Sequence, residues 1–133
     1  MIIGTGCDIV HISRMEKIVP LFKSGIKQHV LSLTEQKELA QKDFNDEQIS
    51  RFLAKRFAAK EALSKALGTG FRDGMKMSNI TIHHNELGKP FIEAEGKVLD
   101  TLLEKTQMQD YKIHLSLSDD RNTVIAFAVI ELL

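Results

Sequence analysis

A chain of 133 residues is long enough for one domain with a real core and too short for two of ordinary size, so a single domain over residues 1–133 is expected. Apolar residues at 43% and charged residues at 27% are the balance of a soluble globular protein, and 18 basic side chains against 18 acidic ones leave no global field for nucleic acid or an anionic membrane. Cys7 is the single cysteine, which excludes an internal disulfide and a cysteine zinc cluster and fits a reducing compartment.

In chain order, IIGTGCDIV (2–10) is rich in Ile and Val but broken by two glycines, as a strand running into a tight turn would be. No basic stretch followed by a long apolar segment stands at the start, so no signal peptide and a cytoplasmic location are expected. Ile12, Met15, Ile18 and Val19 recur at helical spacing, with Pro20 as the stop. Ser32 followed by Glu35 is a capping-box pattern for a short helix reaching about residue 42. Asn45 with Gln48 opens a long helix on the stripe Ile49, Phe52, Leu53, Phe57, Leu63 and Leu67, which Gly68 ends.

The second half turns to strands. Segments 78–83 and 91–94 flank the turn NELGKP, and a helix is expected over 96–106 on the stripe Val98, Leu99, Leu102 and Leu103. In KIHLSLS (112–118), Ile113, Leu115 and Leu117 face one way and His114, Ser116 and Ser118 the other. DDRN turns the chain into VIAFAVI (124–130), apolar on both faces as a central strand would be. That run falls far short of the ~20 residues a membrane helix needs. The expected fold is α+β: mostly antiparallel strands packed against one long helix and shorter ones.

The stretch FAAKEALSKALGTG (57–70) carries the chemistry. On a helix, Glu61, Lys65 and Gly68 share one side and Arg56, Lys60 and Ser64 the next. Glu followed by Lys four residues later is a common solvated pair; the same groups can also hold a hard cation and phosphate oxygens, and periodicity leaves both readings open. Asp8, among apolar neighbours, is either the cap of the first helix or a carboxylate that needs a cation or donors. Cys7 has no His placed to activate it and is expected to be a small buried residue. His83 and His84 are adjacent in a strand, so they point to opposite faces and cannot chelate one ion together.

GTGCDIVHISRM with FLAKRFAAKEALSKALGTG, in this order and separation, resembles the holo-(acyl-carrier-protein) synthases, the small 4'-phosphopantetheinyl transferases. The resemblance runs on through FRDGMKMSNITI and NELGKP into HLSLSDDRNTVIAFAVI. It implies transfer of the 4'-phosphopantetheine arm of coenzyme A to a serine of apo acyl carrier protein, with Mg2+ as cofactor and a homotrimer whose sites lie between subunits. By position, Asp8 and Glu61 match metal ligands, and Lys65 with Glu61 the catalytic pair. Arg56, Lys60, Ser64, Lys65, Gly68, Gly88, Lys89 and Pro90 match coenzyme-binding positions; of these, Arg56 matches the arginine at the coenzyme's 3'-phosphate. Arg14 matches the arginine that grips the acidic carrier helix. The polar row His114, Ser116 and Ser118 is expected either at the subunit interface or in solvent. Two departures stand out: Asp119 where many members have His, and His29 where arginine is frequent. A binding module that only senses the coenzyme is the competing class, and the presence of both carboxylates speaks against it.

Overall fold

The computed structural model describes residues 1–133, the side chains of residues 22–24 excepted. The strand β1 (Ile2–His11) leads into a short helix α1 (Ile12–Glu16) and a 3-10 turn over Val19–Ser24. Helices α2 (Ile26–Val30), α3 (Leu33–Ala40) and the 22-residue α4 (Asp46–Leu67) follow. The hairpin β2 (Ile80–His84) and β3 (Pro90–Ala94), the helix α5 (Gly96–Lys105), and the strands β4 (Tyr111–Asp119) and β5 (Thr123–Leu132) complete the chain. All strand pairs are antiparallel: β1-β5-β4 form one sheet and β2-β3 another. The α+β architecture agrees with expectation, and β5 is central in its sheet.

Both capping boxes form. Asn45 Oδ1 accepts from Gln48 N–H at 2.9 Å while Gln48 Oε1 accepts from Asn45 N–H at 3.0 Å, so α4 starts where its first N–H groups find partners. It ends at Gly68, whose φ of 76° suits a residue without Cβ. The expected helix through residues 12–19 is split instead: α1 stops at Glu16, whose carbonyl the Pro20 ring would strike if the helix continued.

The two early glycines make no turn. They lie within β1, directly beneath α4, and a Cβ built on Gly4 would fall 2.1 Å from the Ala66 carbonyl oxygen. Their role is close approach of two backbones, so the strand runs on to His11. The core lies between the sheet and α4, where Val124, Ala126, Ala128 and Ile130 of β5 meet Ala58, Ala62 and Leu63. The opposite face of β5 is bare: Ile125 is 44% and Phe127 46% exposed. Among the described residues, no helix is long and apolar enough to cross a membrane.

Candidate active site

Gly4, Gly6 and Asp8 share one face of β1 because strand side chains alternate. The glycines let α4 rest on the strand, and the next side chain on that face is a carboxylate. Lys65 Nζ donates to Asp8 Oδ1 at 3.0 Å and to the Cys7 carbonyl oxygen at 2.9 Å. Glu61 lies one turn earlier on α4, half-buried. Its pKa is raised, first by burial and then by the nearby Asp8 charge, while Lys65 and Arg14 pull it back down. That of Lys65 is raised above its ordinary value, chiefly by the hydrogen bond to Asp8. Two carboxylates within electrostatic reach of each other, with one ammonium paired to Asp8, concentrate charge locally on a chain of zero formal net charge.

Glu61 opens onto a cavity of about 460 Å3. Gln28 and His29 of α2 form one wall, and Phe71, Met75, Lys76, Met77 and Ser78 from the segment after α4 form another. The lining mixes three apolar side chains, Phe71, Met75 and Met77, with polar groups, and a concave pocket with convergent polar groups is a form that small-molecule sites take.

Residues 4–128 match the model of the 4'-phosphopantetheinyl transferase superfamily. The chain belongs to this superfamily. It is 41% identical over 131 residues to the holo-(acyl-carrier-protein) synthase of Vibrio cholerae, covering 98% of both chains. The crystal structure of the Neisseria meningitidis holo-(acyl-carrier-protein) synthase superposes with a TM-score of 0.82 at 40% identity, covering 98% of this chain and 99% of that one. The Helicobacter pylori synthase, solved in complex with coenzyme A, gives 0.75 at 30% identity over 96% and 99%. These structures share the arrangement described above, an antiparallel sheet packed on one long helix.

Within this family frame, three of the expected coenzyme contacts sit deeper than the motif suggests. Lys60 is fully buried, and its Nζ donates to the Val30 carbonyl oxygen at 2.7 Å and to Glu35 Oε1. Burial lowers its pKa to about 8, against the opposing pull of Glu35. Ser64 is 1% exposed and donates to the Glu61 carbonyl oxygen at 2.8 Å. Both side chains are satisfied within the protein: helix facing placed them correctly beside Arg56, and that face packs inward. Arg56 is buried against the Phe52 ring, with its Nη2 at 3.3 Å from Glu38 Oε1. Its Nε stands 3.4 Å from Glu35 Oε2, an ion-pair separation without an aligned hydrogen bond. Burial lowers its pKa, with the two glutamates acting the other way. One edge of Arg56 still lines a cavity of about 230 Å3 with Phe44, Gln48, Arg51, Lys55 and His84.

Gly68 is exposed at the end of α4 and borders a separate cavity with Thr69, Arg72 and Lys97. The turn with Gly88, Lys89 and Pro90 lies elsewhere, Lys89 lining a cavity with His114, Ser116 and Phe127 on the outer face of the sheet. Among the described residues, no hydrogen bond or ion pair joins this turn to Asp8, Glu61 or Lys65. Arg14 is exposed on α1, its guanidinium 5.5 Å from the centre of the Phe57 ring. Asp119 is held by Arg51 and lies 3.5 Å from Lys55 Nζ. Cys7 is exposed, which corrects the expectation of burial: it points to the outer face of the sheet, opposite Asp8.

Sequence reading missed the cavity walls. FRDGMKMSNITI entered only as part of the resemblance, and nothing in its local pattern marks Phe71, Met75 and Met77 as cavity-lining. Glu35 was read as a cap alone; its burial is a tertiary fact that local pattern does not carry.

Proposed function

We infer that this protein transfers the 4'-phosphopantetheine arm of coenzyme A to a serine hydroxyl of apo acyl carrier protein, releasing adenosine 3',5'-bisphosphate. The observation that carries the reading is the convergence of Asp8 and Lys65 on Glu61, which itself lines a cavity, in a chain of this family. In the transfer, the serine hydroxyl gives up its proton to solvent and its oxygen bonds to the phosphorus bearing the pantetheine arm. The bond from that phosphorus to the bridging oxygen breaks, and the electron pair leaves on the adenosine bisphosphate. Charge neutralisation and alignment dominate such a step.

Asp8 and Glu61 fit Mg2+: this ion needs one or two carboxylates and keeps several waters, and among the described residues no larger group of ligands competes for a cation. When bound, Mg2+ would draw charge from the pyrophosphate oxygens. Lys65, with a side chain 52% exposed, is free to place its ammonium on the same oxygens. The edge of the buried Arg56 that lines the second cavity, with Arg51 and Lys55 beside it, is the proposed contact for the 3'-phosphate end of the coenzyme. Arg14 is the proposed contact for the acidic carrier: it is exposed, and its charge is felt at Glu61. The Gly88-Lys89-Pro90 turn takes part through a neighbouring subunit in a homotrimer, which the bare outer face of β1 and β5 supports.

The test is direct. Incubation with coenzyme A, magnesium and an apo carrier protein should add the mass of one phosphopantetheine arm to the carrier. No gain across several carriers and conditions would refute the transferase reading.

A further inference from the structure

Glu35 is a carboxylate with no exposure to solvent, tied to three elements at once. Its Oε1 accepts from the Ser32 N–H at 3.0 Å, closing the cap of α3, and also from Lys60 of α4. Its Oε2 accepts from the Ile82 N–H of β2 at 3.1 Å. Ser32 Oγ in turn accepts from Thr81 Oγ1 at 2.8 Å. The second bond of the Lys60 ammonium goes to the carbonyl of Val30, the last residue of α2.

That bond has a consequence for the site. The helix α2 has only five residues and starts after Gly25 without a side-chain cap. So short a helix does not hold its own position in water. Gln28 and His29 nevertheless form the cavity wall opposite Glu61. Val30 is the buried residue of α2, and its carbonyl is fixed by the side chain adjacent in sequence to Glu61. Lys60 thus refers the wall of the cavity to the same turn of α4 that carries the carboxylate.

We propose that Lys60 and Glu35 are positioning residues for the transfer: the pair holds α2 at a set distance from Glu61 and so shapes the cavity in which the substrates meet. This rests on the transferase reading above. It differs from a phosphate contact by Lys60, which would act on coenzyme binding, and from a purely structural ion pair, which would act on stability alone. A wall displaced by about 1 Å costs on the order of a hundredfold in rate when it misaligns reacting groups.

The test compares the wild type with Lys60→Met/Glu35→Gln, which removes the two facing charges together and leaves the buried Arg56, 3.4 Å from Glu35, paired with Glu38. Each is assayed at a temperature where circular dichroism shows it fully folded. A wild type that transfers nothing refutes the function; the inference is judged only against an active wild type. The expected result is a kcat lower by about tenfold or more, with KM for coenzyme A within about twofold. Amide exchange over residues 26–31 should be faster in the double variant, with α4 unchanged. If the double variant does not fold, Lys27→Gly against Lys27→Ala answers the same question: both lose the ammonium, and only glycine loosens α2. Glycine should then lower kcat severalfold below alanine. Equal kcat for wild type and the folded double variant, or for the Lys27 pair, would overturn the proposal. So would a loss confined to KM for coenzyme A.

Discussion

Gly6 lies so close beneath α4 that a Cβ built on it would fall 1.9 Å from the Ala62 carbonyl oxygen and 2.6 Å from the Ala66 backbone nitrogen. Both obstacles are backbone atoms of a long helix, so neither yields as the tip of a side chain would. Gly6→Ala should therefore lift α4 from β1, at a cost of about 1–3 kcal/mol or more, the usual range for overpacking. Because Asp8 is the next residue on that face, transfer should fall with stability. Urea denaturation of Gly6→Ala, read beside its activity at low temperature, checks both; wild-type stability would show that the helix and strand are not in contact.

The repulsion between Asp8 and Glu61 leads to a metal prediction with a readout besides turnover. A cation shared by the two carboxylates relieves that repulsion only in the folded state, so magnesium should raise Tm. Saturation at about a hundred times Kd corresponds to roughly 2.7 kcal/mol. Asp8→Asn and Glu61→Gln should each abolish most of that shift. Each should also cut transfer by at least about a hundredfold, more than the loss of an outer partner of a metal usually costs. A variant that keeps both the thermal shift and the rate would show that its carboxylate does not hold the ion.

Much of this architecture was legible because local rules decide it. The boxes at Ser32–Glu35 and Asn45–Gln48 and the glycine stop at Gly68 formed as the spacing implied. What failed was whatever depended on the partner across the interface. Gly4 and Gly6 read as a turn because their real reason, Ala62 and Ala66, lies some sixty residues away. For Arg56, Lys60 and Ser64 a 3.6-residue period shows that they share a side but not that the side packs inward, so their burial was not legible in the spacing. VIAFAVI read as buried on both faces, and one of them is bare. Only the family resemblance joins Asp8 and Glu61; residue pattern alone leaves each open, and their electrostatic coupling follows from the packing of strand on helix.

Arg14 stands at the edge of the site, with its guanidinium by Phe57 and its charge acting on Glu61. A protein of zero formal net charge has little global field to draw in an acidic carrier, so local cations must steer it. Arg14→Glu should raise KM for the carrier by roughly tenfold, an exposed pair being worth about 0.2–1 kcal/mol and reversal adding repulsion. KM for coenzyme A should stay nearly constant, and the penalty for Arg14→Ala should shrink as salt screens the attraction. Equal carrier kinetics for wild type and Arg14→Glu at low salt would place the docking surface elsewhere.

The His114–Glu131 pair, at 2.7 Å across β4 and β5, sets a pH dependence. The hydrogen bond from His114 holds the Glu131 carboxyl below its ordinary range. A carboxyl whose folded pKa is depressed stabilises the fold above its unfolded value, near 4.3, and loses that contribution as pH falls through the folded value. Wild type should therefore melt above Glu131→Gln at about pH 6, and the gap should narrow as pH falls below about 4. Melting curves with a constant gap over that range would show that the pair does not form.

The outer face of the β1-β5-β4 sheet bears on assembly. Cross-strand register sets Ile9 beside Ile125 and Cys7 beside Phe127, so the apolar side chains form one continuous patch. Ile9 is 60% exposed, Ile125 44% and Phe127 46%, which in a lone chain leaves contiguous apolar surface in water. The polar rim of Ser116, Ser118 and His114 along β4 gives the patch a border, as interfaces between subunits have. These side chains are already about half covered, so burying the rest is worth on the order of 1 kcal/mol each and favours association without fixing its strength. Sedimentation equilibrium should give a homotrimer for the wild type. Phe127→Asp should give a monomer with an unchanged far-ultraviolet spectrum, since the side chain points away from its own core. If transfer depends on the Lys89 turn of a neighbouring subunit, the Phe127→Asp monomer should lose activity although Asp8, Glu61 and Lys65 are intact. A wild type that sediments as a monomer, or a Phe127→Asp monomer that transfers at the wild-type rate, would confine the whole site to one chain.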